Sequence, residues 1–99
     1  MTVFFASWKG KEKMLHQLKI QKEYYEAIYS EKKKFEIRRD DRPYEVGDYL
    51  WLKMYEEDHF YNEEMLCKVD YIYRGELCKD GYCVMSIRKL DAWANRTQS

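Results

Sequence analysis

Only one proline, Pro43, occurs in this sequence, with four glycines and two histidines, His16 and His59. Three cysteines, Cys67, Cys78 and Cys83, make an odd number and include no Cys-x-x-Cys pair. Small secreted scaffolds usually carry an even disulfide framework, so these thiols read as reduced and mostly buried, in a cytoplasmic protein. A zinc site needs four ligands at suitable spacing, and the sequence offers no such set, so no metal and no cofactor is expected. No apolar run approaches the roughly 20 residues that cross a bilayer as a helix, so no membrane association is expected. The apolar stretch at residues 2–6 precedes its basic residues, the wrong order for a signal peptide. Threonine is missing between Thr2 and Thr97.

What the chain has in quantity is aromatic and charged residues. Ten Tyr, four Phe and three Trp stand among 99 residues, a length that suits one domain and not two. Net charge is zero, yet residues 1–42 hold eleven bases and seven acids. The first part is therefore +4 and the remainder −4, a split that a fold can gather into a basic face or spread over a solvated surface.

Read along the chain, residues 1–13 form an N-terminal extension, a domain runs over 14–90, and 91–99 form a C-terminal tail. The extension is either an arm or a short strand added to a sheet edge. Residues 14–20 read as a strand and 22–29 as a helix, with Tyr24, Tyr25, Ile28 and Tyr29 forming one apolar stripe. A strand at 33–39 leads into a polar loop containing Pro43. Gly47 fits a turn that needs positive φ. Residues 48–55 alternate, with Leu50, Leu52 and Met54 on one face and Tyr49, Trp51, Lys53 and Tyr55 on the other. Residues 56–59 read as a hairpin tip. A long strand at 61–73 presents Met65, Cys67, Val69, Tyr71 and Tyr73 as its apolar face, and the last strand is 82–90. About five short strands with one main helix after the first predict a small α+β barrel.

The stretch richest in chemistry is Glu31-Lys32-Lys33-Lys34-Phe35-Glu36-Ile37-Arg38. Strand alternation sets Glu36 and Arg38 on one face, and predicts that Phe35 and Ile37 anchor the strand from the other. Arg38 offers a planar fork for phosphate or a base edge. Lys33 offers a mobile charge at the strand entrance, and Glu36 can orient Arg38 or accept from an exocyclic amine. The plainer alternative is a structural Glu36–Arg38 pair on an exposed sheet face.

This stretch resembles the signature of ASCH domains, Gly-x-Lys-x-x-Glu-x-Arg, with Glu31 in place of the usual Gly. Leu15-His16-Gln17-Leu18-Lys19-Ile20, Phe35 with the residues through Arg42, Tyr44-Glu45-Val46-Gly47-Asp48, and Gly81 with the residues through Ile87 are similar to an ASCH-related family of uncharacterised small proteins. The resemblance covers residues 14–90. It implies a PUA-like pseudo-β-barrel with a cleft beside the helix, lined by Lys33, Glu36 and Arg38, and a role in binding RNA or a nucleotide.

Lys19, Arg39 and Arg42 are further candidates for phosphate contacts, and Trp51, Tyr49 and Tyr55 for stacking bases. His16 reads as a satisfied strand residue rather than a base. An alternative is a small hydrolase, nuclease or amidohydrolase-like, acting on RNA or modified nucleosides in the same cleft. Lys33 and Glu36 are its candidate catalytic residues, with Glu64 as a further proton relay. The amidohydrolase type is expected to carry a Thr nucleophile where this chain has Glu36, so that mechanism is disfavoured. A third reading is a protein-interaction module, in which apolar residues 1–8 offer a route to a weak homodimer.

Overall fold

The computed structural model describes residues 3–8 and 11–90. Among them run strands β1 (Val3–Trp8) and β2 (Lys11–Ile20), helix α1 (Lys22–Tyr29), and strands β3 (Phe35–Arg39), β4 (Tyr49–Glu56), β5 (His59–Tyr73) and β6 (Tyr82–Lys89). All belong to one sheet, ordered β1-β2-β4-β5-β6-β3. The β2–β4 pair is parallel and the others are antiparallel. The parallel pair requires a crossover, which α1, β3 and the following loop supply. Strands β2–β6 curl into a mixed half-barrel with the helix after the first of them. Strand β1 adds to the edge of β2, pairing Val3 with His16 through Trp8 with Lys11. No helix among the described residues is long and apolar enough to cross a membrane.

The core fills the concave side. Leu18 and Ile20 of β2, Leu50, Leu52 and Met54 of β4, Met65, Cys67 and Val69 of β5, and Cys83, Met85 and Ile87 of β6 meet Tyr25 and Ile28 of α1. Leu50 and Leu52 are wholly buried, and each contributes roughly 2 kcal/mol through apolar area withdrawn from water. The β4 alternation holds as expected. At the β4–β5 turn, Glu57 and Asp58 have φ of 52° and 60°, the left-handed pair that a two-residue hairpin demands.

Three expectations are corrected. The helix buries Tyr25 and Ile28 only, while Tyr24 and Tyr29 are 44% and 47% exposed. An eight-residue helix lying on a curled sheet covers a narrower stripe than its four apolar positions span. The apolar face of β5 passes from Val69 to Ile72 rather than to Tyr71 and Tyr73, because the register slips between Val69 and Tyr71. The bulge carries Tyr71 and Tyr73 to the convex side, leaving Tyr71 64% exposed. Most consequential is β3: Phe35 and Ile37 face outward, and the charged Glu36 faces inward.

Candidate functional site

The curl of the sheet brings β3, at one end of the strand order, round toward β2. Strand β1 occupies β2 only over residues 11–16. The remainder of that edge meets β3 through side chains: Arg38 donates from a terminal nitrogen to the Lys19 carbonyl oxygen at 2.7 Å, and Arg42 to the Gln17 carbonyl oxygen at 3.0 Å. Carbonyls of alternate strand residues point to the same edge, so Gln17 and Lys19 present both acceptors to the seam.

Inside the seam lies a groove of about 570 Å³ between the end of β2, the start of α1 and β3. Glu36 is its floor. One carboxylate oxygen of Glu36 accepts from Lys33 Nζ at 2.9 Å and the other from Arg38 Nε at 2.7 Å. The Glu36 side chain is 6% exposed, those of Lys33 and Arg38 17% and 22%. A carboxylate this buried requires compensation, which two charge-assisted bonds provide. These two bonds are what permit the inverted strand, with Glu36 inside and Phe35 and Ile37 outside. Lys33 Nζ also stands over the Tyr24 ring at 5.1 Å and the Phe35 ring at 4.9 Å, an attractive cation–π placement at each.

Local chain geometry puts Lys33 there. Helix α1 ends with Glu31 in the left-handed conformation, φ 63°. Lys32 N–H donates to the Ala27 carbonyl at 2.9 Å and Glu31 N–H to the Ile28 carbonyl at 2.9 Å, the two closing bonds of a Schellman turn. The signature has glycine at this position, and the backbone here demands what glycine supplies without strain. Glu31 keeps the turn while departing from the residue type.

Of the residues singled out from sequence, Lys19, Lys33, Glu36, Arg38 and Arg39 line the groove. The Lys19 and Arg39 side chains flank its mouth from the convex side, Lys19 over the Tyr55 ring at 4.6 Å and Arg39 over the Tyr82 ring at 5.7 Å. Arg42 is engaged at the seam below. Trp51 is not brought to the groove. It lies on the convex side of β4, paired with Gln17 and Leu66, with Lys53 over its ring at 5.2 Å. Glu64 lines a different groove, of about 550 Å³ on the other flank of α1. That second groove has apolar walls of Tyr25, Tyr29, Met54 and Met65 and a charged rim of Glu26, Glu63 and Glu64 with Lys22 and Lys89. Tyr24 and Phe35 are the groove aromatics that sequence reasoning assigned to the core. Their place beside Lys33 comes from the fold, which brings the start of α1 against β3.

His16 has no solvent exposure. Its Nε2 lies 2.9 Å from Asp48 Oδ2, and its ring packs against Tyr44 at 4.7 Å. No substrate reaches it there. Asp48 also accepts from the backbone N–H groups of Met14 at 3.1 Å and Glu45 at 2.9 Å. Burial pushes the Asp48 carboxyl upward, but these donors outweigh it and hold it below the ordinary carboxylate range. Gly47, φ 95°, makes the turn that delivers Asp48. Lys13 approaches so closely that a Cβ at Gly47 would lie 2.9 Å from its Cε. The Tyr44-to-Asp48 segment is thus a structural hub. No cluster of three or more His, Cys, Asp or Glu side chains suited to a metal occurs among the described residues.

A curled half-barrel with one helix and a cation-lined seam groove defines the class of this protein. Within that class, residues 15–87 match the model of the family described as a domain of unknown function, DUF3850, and the chain belongs to that family. The matched span takes in α1 and nearly all of β2–β6, including the whole charged trio. No match to the chain was found among curated proteins.

Proposed function

We propose that the seam groove binds RNA or a nucleotide, in a cytoplasmic protein of the ASCH/PUA-like kind. The observation that carries this reading is the composition of one groove: four cations, Lys19, Lys33, Arg38 and Arg39, against the single carboxylate Glu36, with Tyr24 and Phe35 exposed beside them. Cations draw in phosphates, and exposed rings offer stacking surface to a base. The second groove sets three carboxylates, Glu26, Glu63 and Glu64, against two lysines, Lys22 and Lys89, so it offers a polyanion no net positive charge.

The trio divides its work. Arg38 is already engaged through two of its three nitrogens, so it positions Glu36 and the seam more than it offers a free fork. Lys33 is the cation best placed to turn to a phosphate, since Arg38 continues to compensate Glu36 when Lys33 swings away. Glu36 keeps lone pairs with which to accept from an exocyclic amine of a base.

The test is an isotope-edited NMR titration of the chain with short single-stranded RNAs and a panel of nucleosides and nucleotides. Amide shifts should cluster on Tyr24, Lys33, Phe35, Glu36 and Arg38, weaken with added salt, and be lost in Lys33→Met. An absence of shifts at low salt with every ligand would sink the reading.

A further inference from the structure

The groove opens onto a surface that its own chemistry does not account for. On the convex side of the sheet, β5, β6 and β3 bring their outward residues into register. Tyr71, Ser86 and Phe35 form one row, Tyr73, Val84 and Ile37 the next, and Tyr82 and Arg39 the third. Tyr71 is 64% exposed, Ile37 56%, Phe35 42% and Tyr73 37%. Directly paired strand residues share a face, so these side chains form one continuous apolar and aromatic platform. The bulge after Val69 creates it, since without the slip Tyr71 and Tyr73 would continue the buried face.

Two cations crown this platform. Arg39 stands over the Tyr82 ring at 5.7 Å and Lys79 Nζ over the same ring at 5.3 Å. Neither has a carboxylate partner among the described residues. Two cations without a carboxylate partner beside one ring raise the local positive potential, which attracts anions. Phe35, Ile37 and Arg39 belong to the platform and to the groove wall alike, so the two surfaces are continuous.

We propose that the platform is the continuation of the nucleic-acid path: a single-stranded RNA places one nucleotide in the seam groove and runs outward across β3, β6 and β5. Successive bases stack on Phe35 with Ile37 and on Tyr71 with Tyr73, while Arg39 and Lys79 hold the phosphates. The inference rests on the groove reading above, and it names the ligand as an oligomer rather than a free nucleotide. A twofold pairing of this face with a second copy is the rival occupant. That arrangement would gather two Arg39 and two Lys79 side chains in one interface without a counter-charge.

The experiment is fluorescence anisotropy of the full chain with labelled oligouridylates of about two and about six nucleotides, lengths that separate the groove from the platform. The longer probe should bind on the order of 10-fold more tightly. The variant carrying Tyr71→Ser and Lys79→Ser should lose that gain and bind the shorter probe as the native chain does. Both positions are exposed and lie outside the groove lining, so folding should survive. Lys33→Met should weaken both probes. Equal binding of the two lengths, or full binding of the longer probe by the Ser variant, overturns the path and leaves the groove reading standing. Binding of neither probe overturns both. A concentration-dependent dimer in analytical ultracentrifugation that the Ser substitutions abolish, with RNA binding unchanged, assigns the platform to a second copy and overturns the proposal.

Discussion

Arg38 ties Glu36 to Lys19: its Nε donates to the buried carboxylate at 2.7 Å, and a terminal nitrogen of the same guanidinium donates to the Lys19 carbonyl oxygen at 2.7 Å. The ion pair on the groove floor is thus also a staple across the seam of the half-barrel. Arg38→Ala should lower stability by about 2 kcal/mol, since it leaves Glu36 with one cation and a seam carbonyl without its donor. Arg38→Lys should not restore it, because one ammonium cannot hold two acceptors in the fixed geometry of a planar fork. Urea denaturation of the two variants checks this. Full stability in the Lys variant would show that charge alone closes the seam.

Glu31 gives a prediction of opposite sign. A residue with a Cβ in the left-handed conformation is strained by roughly 1 kcal/mol relative to glycine, partly offset by the greater freedom of glycine in the unfolded chain. Glu31→Gly should therefore stabilise the protein by about 0.5 kcal/mol or more. Glu31→Ala removes the same charge without relieving the backbone, and should not stabilise. Paired denaturation curves separate the two effects, and an equal gain in both variants would assign the effect to charge.

The elements were legible because periodicity and turn chemistry agreed. Alternation placed the core face of β4, and the demand for positive φ at Gly47 was met. The charged trio was legible as a motif, but its direction was not. Hydrophobicity alone votes Phe35 and Ile37 inward, and only the joint compensation of Glu36 by Lys33 and Arg38 reverses that vote. The two cations reach Glu36 from positions three before and two after it, so the pairing depends on side-chain reach that a pattern of faces does not encode. The bulge after Val69 was equally hidden, since a one-residue slip leaves no mark in composition and turns every later side chain over. Trp51 was grouped with the groove by residue type, whereas it lies farther along the convex side of β4, outside the groove lining.

The cysteines should separate by reactivity. Burial pushes the Cys67 thiol up to about 12, and burial is also the main cause that raises Cys83. The thiolate is the nucleophile, so both should resist labelling in the folded chain. Cys78 is only half-buried, with its thiol directed at the Tyr82 carbonyl oxygen at 3.2 Å. A disulfide-exchange reagent near pH 8 should label Cys78 first and the other two only on unfolding. Cys78→Ser should remove the early phase. Early labelling of Cys67 would show that β5 opens far more readily than its packing implies.

The Asp48 hub predicts how the fold responds to acid. Its three donors favour the charged carboxylate and outweigh burial, so its folded pKa lies below the unfolded value of about 3.9. Between those two values the unfolded chain binds the proton and the folded chain does not. The stabilisation is therefore complete above about pH 4 and is lost as pH falls through the folded value. Asp48→Asn should cost about 2 kcal/mol at neutral pH, by presenting an amide to groups arranged for a carboxylate. The gap between the variant and the native chain should narrow below about pH 4. Asp40, also held low by its bond from Arg74, lies nearer the surface where solvent screens the pair, so Asp40→Asn should change the acid limb much less. Denaturation midpoints across the acid range decide the matter. A constant gap between Asp48→Asn and the native chain would mean that Asp48 stabilises by shape and hydrogen bonding alone, with no part of the acid sensitivity residing in its charge.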